Sequence, residues 1–125
     1  MDKKEFIEAY RQIAKKAVEY HEKSRREGLL SLEEMIDEEK FKERDIFELG
    51  LRFIVDGTES GLINKILSNI IDQEKDEYVK LLKIIQKEAV VAIGEGINSY
   101  LFIHLINSYT NLTLNEDEIF KPEYF

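Results

Sequence analysis

Apolar residues recur at intervals of three and four along most of the chain, which is the spacing of one buried face on an α-helix. The first run extends from Asp2, a candidate N-cap, to about Arg26. Its apolar positions form a single stripe, which predicts one packing face. Because only one proline and six glycines interrupt the 125 residues, the pattern predicts long helices and an all-α fold.

The segment after the first helix contains a break and a new start signal. Gly28 interrupts the apolar pattern. Ser31 and Glu34 have the spacing of a capping box, in which each side chain accepts a backbone N–H of the other residue. This signature predicts a short acidic helix from Leu32 to about Lys40.

A second capping signature, Asp45 with Glu48, precedes the apolar run 46–56. That run is apolar on more than one side, so we expect a central helix. Gly50 would let a neighbouring helix approach closely, and Gly57 has the position of a left-handed C-cap glycine.

The apolar pattern then resumes from Leu62 to Ile93, with a polar segment, Asp72–Glu77, in the middle. Gly94 and Gly96 end it, and Asn98 or Ser99 starts another short helix. The sequence therefore predicts a compact bundle of about four to five helices over residues 1–112. An acidic and aromatic tail follows at 113–125.

Composition narrows the class of protein. Hydrophobic residues make up 43% and charged residues 35%, as in a folded globular domain. The absence of cysteine excludes disulfides and thiolate sites. A net charge of −8 argues against nucleic acid as a partner, although residues 1–26 are basic. The longest stretch without charged residues, 97–115, contains several polar side chains, so we predict no transmembrane helix.

Catalytic signatures are weak in this sequence. Neither His21 nor His104 has an acidic residue three or four positions before it, so the helical metal-ligand spacings fail. We expect His21 on a helix face and His104 half-buried near a helix end. The sequence Gly94-Glu95-Gly96 follows a helical pattern and lacks the rest of a phosphate-binding loop. We predict no enzyme activity, no metal and no cofactor.

Three segments resemble the flagellar motor stator protein MotA. Residues 23–33, KSRREGLLSLE, are similar to the family's A-R-x-E-G-L-L-A-L-E stretch, and residues 50–57, GLRFIVDG, to its G-L-x-L-x-V-D-G stretch. Residues 89–98 resemble the A-I-x-x-G-x-N-P segment, with Ser99 in place of the proline. Order and spacing agree over roughly residues 10–108.

The resemblance also has a large gap. MotA relatives carry two membrane helices between the second and third segments, where this chain has only Asp72–Glu77, and two more at the N-terminus. What remains is similar to the cytoplasmic bundle alone. A coupling of ion flow to motion needs a channel, so we expect no ion conduction.

The resemblance implies a function through protein contacts. In the family, cytoplasmic charges contact the rotor switch protein FliG, and Arg25 and Glu33 match those positions here, with Arg26 beside them. The expected partners are FliG or stator components, and the expected location is cytoplasmic, at the periphery of the motor. Terminal charges also favour helix ends, Arg25 at a C-terminus and Glu33 in a first turn, so a purely structural role stays open.

Two further points stay open. If Ser60 to Ile93 formed one continuous helix, its halves could not pack antiparallel as in the family, and a homodimer with exchanged helices would result. The alternative function is a generic helical adaptor or scaffold, whose acidic tail would place Phe120, Tyr124 and Phe125 in a partner's groove.

Overall fold

The computed structural model describes residues 1–110. They form six α-helices and one short 3₁₀ helix: α1 (Lys3–Glu27), the 3₁₀ helix (Leu29–Met35), α2 (Glu38–Lys42), α3 (Ile46–Val55), α4 (Ser60–Ile71), α5 (Glu77–Glu95) and α6 (Ser99–Asn107). The all-α prediction is confirmed. The predicted count of four to five helices is wrong, because two predicted helices are each divided. The predicted tail and the boundary at residue 112 lie outside the described residues.

The longest helix, α1, begins where the sequence predicts. The Asp2 side chain accepts the Glu5 N–H at 2.8 Å, and the Glu5 side chain accepts the Asp2 N–H, so a capping box closes the first turn. The buried face contains Phe6, Tyr10, Ala14, Ala17, Val18, Tyr20, His21 and Ser24. This face packs on α5, the 3₁₀ helix and α6.

Helices α1 and α5 run in the same direction. Near the start of both helices, the Phe6 ring stacks on Tyr78, with 4.9 Å between centroids. Near their ends, Arg25 of α1 donates to the carbonyl of Gly96, which caps α5. The pairing of start with start and end with end makes the two helices parallel.

Helix α3 is also parallel to α5 and is largely buried, as its apolar pattern predicts. Gly50 lies against Val90, and four residues later Ile54 lies against Gly94. A Cβ on Gly50 would be 2.6 Å from both Cγ atoms of Val90, so the close approach expected at this glycine is confirmed.

The polar segment after α4 is a turn, so the stretch from Ser60 to Ile93, whose continuity the sequence leaves open, forms two helices. Asp76 caps α5 by accepting the N–H groups of Tyr78 and Val79 at 2.9 and 3.1 Å. Glu74 accepts the Asp76 N–H and pairs with Lys83 Nζ at 2.8 Å. Because α4 and α5 pack together within one chain, the reason for a helix-exchanged homodimer is lost.

The segment between α1 and α3 differs from its prediction. Ser31 caps no helix; its hydroxyl donates to the carbonyl of Gly28 at 2.6 Å inside the 3₁₀ helix. The next α-helix is only five residues long, and its N-cap is Asp37 rather than Ser31. Leu32 is fully buried, which anchors the tight 3₁₀ turn against the bundle. The Asp45 cap of α3 is confirmed, since its side chain accepts the Glu48 N–H.

Within the part of the chain that the structure describes, no helix is both long enough and apolar enough to cross a membrane.

Candidate partner-binding surface

Three parallel helices end at one end of the bundle, which we call the C-terminal pole. Helix α3 ends at Val55, two residues before Gly57, and α5 ends at Glu95, just before Gly96. Both glycines have left-handed φ values, 78° and 75°. After α3, the Thr58 N–H returns to the Phe53 carbonyl at 2.9 Å, which satisfies one of the last carbonyls. Helix α1 stops just before Gly28 at the same pole. Helix C-termini carry partial negative charge, so this pole favours cations.

Arg25 and Arg26 provide cations at this pole, as the sequence predicts for the last turn of α1. The Arg25 Nη1 atom donates to the Gly96 carbonyl at 3.1 Å, and the side chain is exposed. Arg26 is exposed and has no hydrogen bond or ion pair with the residues described. Arg25 therefore links the end of α1 to the end of α5, whereas Arg26 faces solvent.

Glu33 lies on the 3₁₀ helix, and the expectation that it begins an α-helix is wrong. Its carboxylate lies 3.6 Å from Arg52 Nη1 of α3, and its side chain is 63% exposed. Arg52 also pairs with Glu38 at 3.3 Å, and its guanidinium lies 5.9 Å from the centre of the Phe41 ring. Arg52 thus holds the acidic residues of two short helices against α3.

A second cation, Lys23, connects α1 to the 3₁₀ helix. Lys23 Nζ lies 3.1 Å from Glu27 and 3.0 Å from Glu34 of the 3₁₀ helix. Hydrogen bonds from Glu34 and then Glu27 raise the Lys23 pKa above its usual value. Lys23 and Arg52 together fix the 3₁₀ helix at the C-terminal pole.

The predicted site residues therefore share one pole without touching each other. Arg25 contacts Gly96, Glu33 contacts Arg52, and no ion pair joins Arg25 to Glu33 within residues 1–110. Between them the chain exposes two leucines, Leu29 at 38% and Leu30 at 72%. The surface combines a basic side, an acidic side and an apolar ridge.

Sequence reasoning missed Arg52 and Lys23. Arg52, the one cation in the mostly apolar run 46–56, is a usable signal, because a charge in a mostly buried helix usually has a partner. Lys23 has Glu27 four residues later, the spacing of a helical ion pair. The pairing with Glu33 and Glu34 depends on the tertiary position of the 3₁₀ helix.

The two histidines make structural contacts within the described residues. His21 is buried, its Nε2 is 2.6 Å from the Ile97 carbonyl, and its ring stacks on Phe102 with 4.3 Å between centroids. His104 is exposed beside the Tyr100 ring, so the half-buried position expected for it is wrong. Among residues 1–110, no group of three or more acidic or histidine side chains could hold a metal ion.

Glu48 is the buried carboxylate among residues 1–110, and its contacts hold the fold together. Glu48 is 2% exposed and accepts the Asp37 N–H at 2.9 Å, so it holds the start of α2. Burial raises the pKa of Glu48, and the neighbouring Asp45 adds to that rise. Burial also raises the pKa of Tyr20, with Glu48 as the next contributor.

A comparison with known proteins finds one that is similar to this chain in sequence. The chain is 31% identical over 86 residues to Motility protein A of Treponema pallidum (strain Nichols). The similarity covers 69% of this chain and 32% of that protein, so the chain spans about a third of the length of the curated relative it matches. No protein-family model matches the chain, and no solved structure matches it. These findings are consistent with a relationship to MotA and indicate nothing more specific.

Proposed function

We propose that this chain is a MotA-like motility protein that acts through protein contacts at the C-terminal pole. Its partners would be the flagellar rotor switch protein FliG or stator components, and its place the cytoplasmic periphery of the motor. The similarity to Motility protein A supports a motility-related role. The match covers a minor part of that relative, so partner and mode of action are our inference.

One observation carries the proposal: the three segments that resemble MotA meet at a single pole. Arg25 of the first segment contacts Gly96 of the third, and Glu33 of the first contacts Arg52 of the second. These residues are up to 71 positions apart in the chain. The parallel arrangement of α1, α3 and α5 brings these segments to one exposed surface, where a single partner can contact all three.

The electrostatics of this pole suit a contact that forms and breaks repeatedly. Exposed charges on a rim increase the rate of encounter and set the register of two proteins. Each exposed pair contributes only about 0–1 kcal/mol, so no single pair would lock the complex. Arg25, Arg26, Glu33 and Glu34 are all exposed and lie within ten residues of each other.

Within residues 1–110, the buried polar groups support a function through protein contacts better than they support catalysis. Its buried polar side chains are His21, Ser24 and Glu48, and each forms a hydrogen bond to the protein's own backbone. Such bonds hold helices in place and leave little free chemistry for a substrate.

A binding assay with charge reversals tests the proposal. The C-terminal domain of FliG is immobilised, and wild type, Arg25→Glu and Glu33→Lys are compared at two salt concentrations. Each reversal should weaken binding by about fivefold or more, because about 1 kcal/mol per exposed pair is lost and a repulsion is added. Reversed charges on FliG should restore part of the affinity.

Lys4→Glu and Glu8→Lys are matched controls, because each variant reverses the charge of one exposed residue on α1, the helix that carries Arg25. Glu8 is about 25 Å from Arg25 along α1, at 1.5 Å per residue. Circular dichroism of every variant establishes that it remains folded. Equal binding by all five proteins would remove Arg25 and Glu33 from the contact.

A further inference from the structure

A groove opens at the end of the bundle opposite the C-terminal pole, and we call it the exit groove. Its volume is about 440 Å³. The starts of α1 and α5 line it together with the residues after α6: Lys3, Phe6, Ile7, Tyr78, Leu81 and 108–110. Phe6 belongs to the buried core, whereas Ile7, Tyr78 and Leu81 are only partly buried. The groove therefore offers apolar surface that a further segment can bury.

The described part of the chain ends in this groove. Thr110, its last residue, lines the groove and its side chain forms a hydrogen bond with Tyr10 of α1. The Tyr10 Oη atom also donates to the Ile106 carbonyl at 3.1 Å, so α1 holds the end of α6 in place. Fifteen residues, 111–125, follow Thr110 in the sequence. Whatever its conformation, this segment starts at the groove and needs no linker to reach it.

The charges of α1 beside the groove and of the following segment are opposite. The first turns of α1 carry a row of residues spaced four apart, which starts in the groove and contains three cations and no acid: Lys3, Ile7, Arg11 and Lys15. Residues 111–125 contain four acidic residues and one lysine, a net charge of −3. The row and the segment are therefore electrostatically complementary.

The order of residues in the segment matches the order of the surface. Two leucines, Leu112 and Leu114, come directly after the groove, and the consecutive acids 116–118 come next. The row from Lys3 to Lys15 spans about 18 Å at 1.5 Å per residue. The six residues between Thr110 and the first of these acids span up to about 20 Å when extended. The acids can therefore reach every cation of the row.

We propose that residues 111–125 bind the exit groove of their own chain, with Leu112 and Leu114 in the groove and the acids 116–118 against the cations of α1. A segment tethered beside its binding site has a high effective concentration there, so weak contacts are enough to hold it. The exit groove is at the end of the bundle opposite the C-terminal pole, so this binding does not depend on the proposed function. A bound segment would close this end of the bundle to other partners.

A spin label in the segment tests the proposal on the full chain of 125 residues. Because the sequence contains no cysteine, Asn115→Cys places a nitroxide at a single position, between the leucines and the acids. The label should strongly broaden the methyl resonances of Ile7 and Leu81. Those of Leu30, beyond the other end of α1 and roughly 30 Å or more from Ile7, should stay sharp.

Tethering alone also brings the label near the groove, so variants of the labelled chain separate tethering from binding. Leu112→Ser combined with Leu114→Ser should lower the equilibrium constant for binding about tenfold or more, because two apolar side chains no longer leave water. The broadening at Leu81 should then fall to the level that tethering causes. The melting temperature of each variant establishes that residues 1–110 remain folded.

A second set of variants tests the charges. Glu116→Gln, Asp117→Asn and Glu118→Gln together should reduce the broadening in part, because the attraction to the cations of α1 is lost. Glu123→Gln is the matched control, since it removes one acid outside the proposed contact. Its broadening should match that of the labelled chain without further changes.

Three outcomes would contradict the proposal. Equal broadening with and without the two leucines would mean that the segment is tethered but not bound. Broadening in an isotope-labelled chain without nitroxide, when a spin-labelled chain is added, would identify the segment of a second copy as the occupant. Full broadening in the neutralised variant would overturn the role given to the cations of α1.

Discussion

Two glycines mark two levels of the contact between α3 and α5, and they serve different purposes. At Gly50 an added Cβ would meet both methyl carbons of Val90 at 2.6 Å, closer than atoms can approach. At Gly94 the same atom would meet Ile54 at an ordinary 3.6 Å. The first glycine is required by packing in the core, and the second leaves a groove at the surface.

This difference divides the molecule into a region that determines stability and a region available for binding. Around Gly50 the neighbours are buried: Val90 is inaccessible to solvent and Glu48 is 2% exposed. At the charged surface the acidic partners of Arg52 are exposed, Glu33 at 63% and Glu38 at 64%. Substitutions in the first region should change the free energy of unfolding, and substitutions in the second should change affinity.

The largest expected effect is that of Gly50→Ala. Val90 is β-branched and buried, so its methyl groups cannot rotate away from the new Cβ. We expect a loss of about 2–3 kcal/mol in the free energy of unfolding, even though alanine favours a helix by about 1 kcal/mol over glycine. Urea denaturation measures the loss.

Two variants make this prediction specific. Gly50→Ala combined with Val90→Ala should lose less than the sum of the two single changes, because the second substitution provides room for the first. Gly94→Ala is the matched control at the other level of the contact and should not lose stability. Equal stability of both alanine variants would end the distinction between the two glycines.

A smaller effect is expected from the charge on Glu48. Burial raises its pKa in the folded state, so folding favours the protonated carboxyl. The corresponding stability is present below the pKa of an unfolded glutamate, about 4.3, and is lost as the pH rises through the folded pKa. The hydrogen bond from the Asp37 N–H lowers that pKa, as do Lys16 and Lys40, whereas Asp45 raises it. These contacts, together with burial, set the size of the loss.

Glu48→Gln isolates the contribution of the Glu48 charge to stability, because glutamine keeps a carbonyl acceptor for the Asp37 N–H without a charge. The free energy of unfolding of wild type, relative to Glu48→Gln, should decline between pH 4 and pH 7. Glu39→Gln, an exposed carboxylate in α2, is the control and should show no such trend. A wild type that gains stability relative to Glu48→Gln as the pH rises would contradict the assignment.

Local signals in the sequence predict several helix ends well. Asp2 and Asp45 cap their helices as expected, and Gly57 adopts the left-handed conformation that its position indicates. These features depend on hydrogen bonds within a few residues. The segment containing Ser31 fails because Leu32 is buried against the bundle, and that tertiary contact selects a 3₁₀ turn over an α-helix.

The turn at 72–76 shows the limit of periodicity. Its apolar phase continues across the break, and no glycine or proline marks it, yet Asp76 provides an N-cap that starts α5. The candidate surface has the same limit. The sequence places Arg25 and Arg26 at the end of α1, but the pairing of Glu33 with Arg52 exists only because two distant segments pack together.

The smallest expected effect is that of Arg52→Gln on stability. The change removes ion pairs to Glu33 and Glu38, whose side chains are 63% and 64% exposed, and a cation–π contact with Phe41. Exposed pairs contribute about 0–1 kcal/mol each, and salt screens them. We expect a loss of about 1 kcal/mol or less in urea denaturation, shrinking further in 1 M salt. A loss as large as that of Gly50→Ala would mean that the charged pole belongs to the stability core, and the separation of folding from binding would fail.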